Sequence, residues 1–289
     1  MTGNTPKRQF ISYRGQKWIK KILIYFSLSF VTLIVVIPLI WMLSTSFKLK
    51  SQLLTKEIYW IPKEVTLENY TKILDNPSTP IGLWFRNSLF VAVITTAAKL
   101  VIDSLAGYAY ARLKFPGRDK IFNLLLVTLF LPGVMFLVPN FVTVSKLGML
   151  NNFNGVIFPA LASVFGVFFM RQFFNSIPKE LEEAAEIDGA NRLQIFIKIA
   201  LPLAKPALAT LAVIEFLASW NDFLWPLLVL KDRAVQTLQP GLRTLQGAYT
   251  SEYGLMMAGA VIVAVPVLLL YIFLQRFIVQ SVATTGLKG

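Results

Sequence analysis

Residues 22–43 read ILIYFSLSFVTLIVVIPLIWML, a stretch without one charged side chain. At about 1.5 Å of rise per helical residue it covers a hydrocarbon layer of roughly 30 Å. Lipid offers the backbone no hydrogen-bonding partner, so such a stretch is held there as a helix. Comparable apolar blocks recur at about 87–110, 121–144, 153–173, 206–230 and 254–275. The pattern predicts an all-α, polytopic membrane domain of about six transmembrane helices over 22–275. An N-terminal arm (1–21), read as leading into a retained first helix, and a C-terminal tail (276–289) flank it. Prolines 38, 132, 139, 226 and 266 fall inside blocks, where neighbouring helices or a lined cavity must satisfy the freed carbonyls.

Charge sorts with this division. Hydrophobic residues make up 55% of the chain and charged ones 15%, and the net charge is +13. Most basic residues flank the apolar blocks, beside lipid headgroups, and no nucleic-acid motif accompanies them. Lys and Arg divide seventeen to ten in favour of the side holding both termini and the 174–204 segment; that side is expected to be cytoplasmic. Cysteine and histidine are both absent, which excludes disulfides, thiolate nucleophiles, Cys/His zinc sites and histidine acid–base chemistry. No G-x-x-x-x-G-K-[ST] phosphate loop occurs, so the chain lacks the usual cradle for ATP phosphates.

The segment 174–204 is more than a connection. PKELEEAAEIDGA (178–190) and NRLQIFIKIALP (191–202) read as two short helices joined by a tight turn. Pro178 suits a first helical turn, and Glu180, Glu182 and Glu183 lie near the positive end of the helix dipole. Gly189 suits a left-handed C′ position, and Pro202 stops the second helix. The pair is either an ordinary interfacial element or a docking element for a cytoplasmic partner. Glu182, Glu183, Glu186 and Asp188 could be imagined as a metal cluster, but a solvated helix face is the stronger reading.

At these residues the chain resembles a known family. EAAEIDGANRLQIFIKIALPLAKP (183–206) resembles the EAA signature of ABC importer permeases. YAYARLKFPGRDK (108–120), FGVFFMRQFFNSIPKELEEAA (165–185), SWNDFLWPLLVL (219–230) and the terminal QRFIVQSVATTGLKG are similar to maltose-type carbohydrate permeases, the shorter of the two types. The tail departs by reading Ser281-Val282-Ala283-Thr284-Thr285-Gly286 where a more glycine-rich run is expected. The resemblance implies a type I importer fold in a bacterial or archaeal cytoplasmic membrane. It implies a heterodimer with a second, homologous permease, two ATPase subunits that bind ATP and Mg, and an extracytoplasmic sugar-binding protein. It carries Glu183, Ala184, Ala185, Asp188, Gly189, Ala190, Phe196 and Pro202 over as the ATPase-coupling loop, and it implies no cofactor, metal or catalytic residue for this chain itself.

Charges inside the blocks need an account of their own. Lys99 and Asp103 are i, i+4 and are expected to pair on one helix face, with Thr96 one turn before. Glu215, Ser219 and Asp222 follow i, i+4, i+7 and so form one polar stripe; Trp220 and Trp225 add aromatic surface. These residues are candidates for a translocation pathway or a subunit interface, against simple packing. A membrane enzyme would need convergent titratable groups. An ion-coupled transporter would show internal repeats, and none is visible.

Overall fold

The computed structural model describes residues 13–53, 55, 57, 59–77, 79–248 and 252–285, with the side chains of 13–17, 244–248, 274 and 276–285 outside that description. Apart from short turns, the elements are α1 (Tyr13–Ser46), α2 (Glu68–Leu74), α3 (Ile81–Arg112), α4 (Arg118–Val127), α5 (Leu137–Lys146), α6 (Asn154–Ala160) and α7 (Val164–Ser176). They continue with α8 (Glu180–Ile187), α9 (Arg192–Leu203), α10 (Lys205–Trp220), α11 (Leu224–Val229), α12 (Leu238–Ala248) and α13 (Tyr253–Thr285). All regular structure among the described residues is helical.

Three helices are long and apolar enough to cross a bilayer unbroken: Trp18–Ser46, Ile81–Arg112 and Tyr253–Phe273. Three further crossings arise only if bent pairs are taken together. Arg118–Phe130 turns by 99° into Gly133–Lys146, Asn154–Ala160 by 44° into Val164–Ser176, and Arg192–Leu203 by 76° into Lys205–Trp220. The first break holds Pro132 at an extended residue, φ −59°, ψ 125°, where the missing N–H and the fixed ring stop the preceding turn. The helix within block 206–230 ends at Trp220 and resumes at Leu224. At the other extreme α13 stays helical to Thr285, through most of the segment read as a tail; no proline or glycine interrupts 267–285. The remainder of that tail, 286–289, and the start of the arm, 1–12, lie outside the described residues.

The long α3 organises the bundle, with α7, α10 and α12 packed along it and α13 against α10 and α1. Lipid tails are as apolar as leucine, so such contacts are held by close packing and polar pairs rather than by water exclusion. Near the Ile81 end of α3, Trp84, Phe216, Trp220 and Leu255 bury one another. Near the Arg112 end, Tyr108, Met170, Phe174 and Phe196 do the same. The Ile81 end also reads the backbone of a distant strap. Trp84 Nε1 donates to Arg233 O at 2.8 Å, Asn87 Nδ2 donates to Ala234 O and Gln236 O, and Ser88 Oγ accepts from Leu238 N at 2.7 Å. These bonds give partners to the Arg233, Ala234 and Gln236 carbonyls and to the Leu238 amide.

Candidate functional site

The two-helix element at the Arg112 end is built by strong local signals. α8 carries Glu180, Glu182 and Glu183 in its first turn, and Pro178 lies two residues outside it rather than within. Its far end closes as a Schellman motif: Gly189 N donates to Glu186 O at 3.0 Å and Ala190 N to Ala185 O at 2.9 Å. Gly189 has φ +83°, and a Cβ there would meet nothing within 4 Å. The backbone conformation alone, not crowding, calls for glycine. Asn191 then opens α9 with a capping box, its Oδ1 accepting from Gln194 N at 2.9 Å while Gln194 Oε1 accepts from Asn191 N at 2.8 Å.

One acid on α8 departs from the solvated-face reading. Glu182 is buried: its Oε1 accepts from Arg112 Nε at 2.8 Å and its Oε2 from Tyr108 OH at 3.2 Å. Arg112 also donates through Nη2 to Ile177 O at 2.6 Å. The pair clamps α8 to the last turn of α3. Phe196 belongs to the same anchorage, with its ring 5.0 Å from Tyr108 and 6.3 Å from Phe174; it faces inward. Ala185 and Ala190 are half-buried, whereas Glu183, Ala184, Asp188, Gly189 and Pro202 are exposed. Ile187 stands at the tip, 87% exposed. Between α8 and the 111–120 turn lies an open polar cleft of about 1040 Å³, lined among others by Lys114, Lys120, Lys179 and Glu183. Neither Glu182 nor Arg112 stood out in the sequence as a functional residue. The available signal was a basic residue at the end of a span, four residues after a tyrosine, in need of a partner.

The intramembrane charges are rearranged relative to expectation. Lys99 does not pair with Asp103: its Nζ bonds Glu215 Oε2 across to α10 at 2.6 Å. Ser163, the N-cap of α7, donates to Glu215 Oε1 at 3.0 Å and accepts from Gly166 N at 3.1 Å. One carboxylate thus ties α3, α7 and α10 together at the bend between α6 and α7. Asp103 is fully buried and accepts no hydrogen bond among the described residues. It packs on Gly166, where a Cβ would lie 1.8 Å from its Oδ2. The same close approach recurs one turn along, where a Cβ on Gly107 would lie 2.6 Å from Met170 Cβ. Gly166→Ala is expected to force α3 and α7 apart at a cost of about 1–3 kcal/mol. The thermal midpoint of the detergent-purified protein should fall, and Asp103→Ala added to Gly166→Ala should recover part of the loss.

The stripe Glu215, Ser219, Asp222 does not hold. α10 ends at Trp220, so Asp222 leaves the helical face and its Oδ1 accepts from Trp225 N at 3.4 Å. Ser219 is half-buried on α10. Trp220 has no free face: it is 2% exposed, stacked on Phe216, set edge-on to Phe85, and donates from Nε1 to Val263 O at 3.1 Å. Trp225 is half-buried and donates to Gly155 O. No cluster of three metal-ligating side chains occurs among the described residues.

A bundle of apolar helices, broken spans and a clamped helix pair at one end defines a multi-pass membrane protein. The family model for the binding-protein-dependent transport system inner membrane component matches residues 103–284, and the chain belongs to that family. Membership assigns it a permease role rather than a catalytic one. It is 38% identical to the arabinooligosaccharides transport system permease protein AraQ of Halalkalibacterium halodurans, over 90% of this chain and 94% of that one. It is 31% identical to the lactose transport system permease protein LacG of Rhizobium radiobacter, over 89% and 93%. Among solved structures it is similar to a chain of a bacterial ABC transporter involved in the import of the acidic polysaccharide alginate. There the TM-score is 0.80 and the identity 26%, over 95% of this chain and 100% of that one.

Proposed function

We propose that the chain forms half of the membrane pathway of an ATP-driven importer for a carbohydrate and couples that pathway to a separate ATPase through α8 and α9. The observation that carries this reading is the clamp Glu182–Arg112–Tyr108. It fixes α8 rigidly to α3 while leaving Glu183, Ala184, Ile187 and Gly189 turned outward. A partner that moves the tip therefore moves α3, and with it the helices packed along α3. The saccharides named for its relatives support a carbohydrate substrate, delivered by an extracytoplasmic binding protein. A second, homologous permease completes the pathway, and two ATPase subunits bind ATP and Mg. Both termini and the α8–α9 element face the cytoplasm in this reading, and Lys99, Glu215 and Asp103 act as a packing lock beside the pathway.

In proteoliposomes holding the complete complex, saccharide uptake should require ATP on the α8–α9 side and binding protein on the other. It should survive an uncoupler that collapses ion gradients; uptake abolished by the uncoupler with ATP intact overturns the reading. Sidedness is read separately on the cysteine-free chain. Single cysteines are placed at Ser176 and Asp232, both exposed. An impermeant thiol reagent applied to intact cells should label Asp232→Cys and spare Ser176→Cys.

A further inference from the structure

The connection between α1 and α3 reads as a polar loop, yet it carries an apolar tip. Trp60 is 54% exposed, Ile61 81% and Val65 74%. The tip is not loosely tethered. Asn69 Nδ2 donates to Ser46 O and Lys48 O, both at 2.9 Å, so that it satisfies carbonyls at the end of α1. Thr66 N donates to Phe47 O at 2.9 Å, and Tyr70 OH meets Ser46 Oγ at 2.8 Å.

These ties fix the height of the tip. Ser44 Oγ donates to Trp60 O at 2.5 Å, and the Trp60 ring stands edge-on to Trp41, centroids 5.1 Å apart. Both partners belong to the span Trp18–Ser46, so Trp60 lies level with its last turns, on its outer flank. Lys48 Nζ sits 4.0 Å from the Trp41 ring centroid and donates to Tyr59 O. Ile40 and Leu43 of α1 form, with Trp60, Ile61 and Val65, an open groove of about 310 Å³.

We propose that this tip is an interfacial membrane anchor, with the Trp60 indole in the headgroup zone and a phospholipid acyl chain of the same leaflet in the groove. The groove is continuous with the apolar flank of a membrane-spanning helix, which the rest of the chain leaves open. The side chains beside the tip are those of a membrane–water boundary rather than of a protein interface. Lys63 and Glu64 are exposed between Ile61 and Val65, whereas charged residues are depleted from the cores of protein–protein interfaces. Lys63 Nζ lies 4.1 Å from the Tyr59 ring centroid and 2.9 Å from its hydroxyl, a tyrosine–lysine pair of the sort that snorkels to headgroups.

The absence of cysteine makes the test direct. Nitroxides are placed at Ile61→Cys and, separately, Val65→Cys in the assembled complex in phospholipid vesicles, and collisions with oxygen and with a water-soluble nickel chelate are measured. The proposal requires oxygen collisions several-fold above those of the chelate at both positions, with the order reversed at Asp232→Cys. Chelate collisions exceeding oxygen place the tip in water, and exclusion of both reagents places it under a protein partner. Either result overturns the proposal, and it does so whatever the transported solute is.

Discussion

Glu182→Leu is expected to unfasten α8 from the end of α3 and to cost about 3–5 kcal/mol, because it leaves a buried guanidinium without its counter-charge. Among the described residues Arg112 would keep Ile177 O alone as a partner, and Tyr108 OH would lose its acceptor. Arg112→Met should be comparably damaging for the mirror reason, whereas the double variant Arg112→Met with Glu182→Leu should recover a large part of the loss. Breaking one half of a buried pair is far worse than replacing both halves by apolar groups. Thermal midpoints of the purified protein give the double-mutant cycle. Additive losses in the double variant would show that the clamp is not a coupled unit.

The second large effect is an asymmetry inside the membrane. Lys99→Met leaves Glu215 and Asp103 as two carboxylates without a paired cation among the described residues and is expected to cost about 3–5 kcal/mol. Glu215→Leu should cost less, because the freed Lys99 can swing to Asp103, which lies one turn further along the same helix face. Asp103 is thus a reserve partner, and Glu215→Leu with Asp103→Asn should be as damaging as Lys99→Met. Membrane abundance and thermal midpoint in detergent rank the variants. A Glu215→Leu loss equal to or larger than that of Lys99→Met would contradict the arrangement.

Both predictions turn on pairings that the sequence does not display. Lys99 and Glu215 are 116 residues apart, and Arg112 and Glu182 are 70 apart. Helical spacing reports only neighbours on one helix, so it offers Asp103 to Lys99 and leaves Glu182 among solvated acids. What is legible is whatever a single segment decides by itself. The charge-free run 22–43 is a helix because lipid permits little else. Gly189 lies in the left-handed region because the acidic and alanine-rich helix before it must stop there. Breaks inside apolar blocks sit between these cases. Pro132 marks the 99° turn, but the end of α10 at Trp220 interrupts a block whose apolar character continues to Leu230. Helical spacing there assigns Asp222 to a polar stripe and gives no sign that the helix ends two residues before it. The apolar tip at Trp60 and Ile61 was hidden differently: charged neighbours in the chain mask it, and only the ties to Ser44 and Ser46 bring it to the height of the span.

The central claim, that α8 and α9 transmit motion between an ATPase and the spans, is tested most directly at the outward-facing turn. Gly189→Val opposes the left-handed backbone at a cost of roughly 1–2 kcal/mol, confined to the turn. Ala184→Trp adds bulk to an exposed position without disturbing the chain's own packing. In reconstituted complex supplied with binding protein and saccharide, ATP hydrolysis and uptake are measured together. Both variants should insert and fold as the parent does, while stimulated hydrolysis and uptake fall together. Wild-type hydrolysis and wild-type uptake in both variants would show that the motion passes elsewhere.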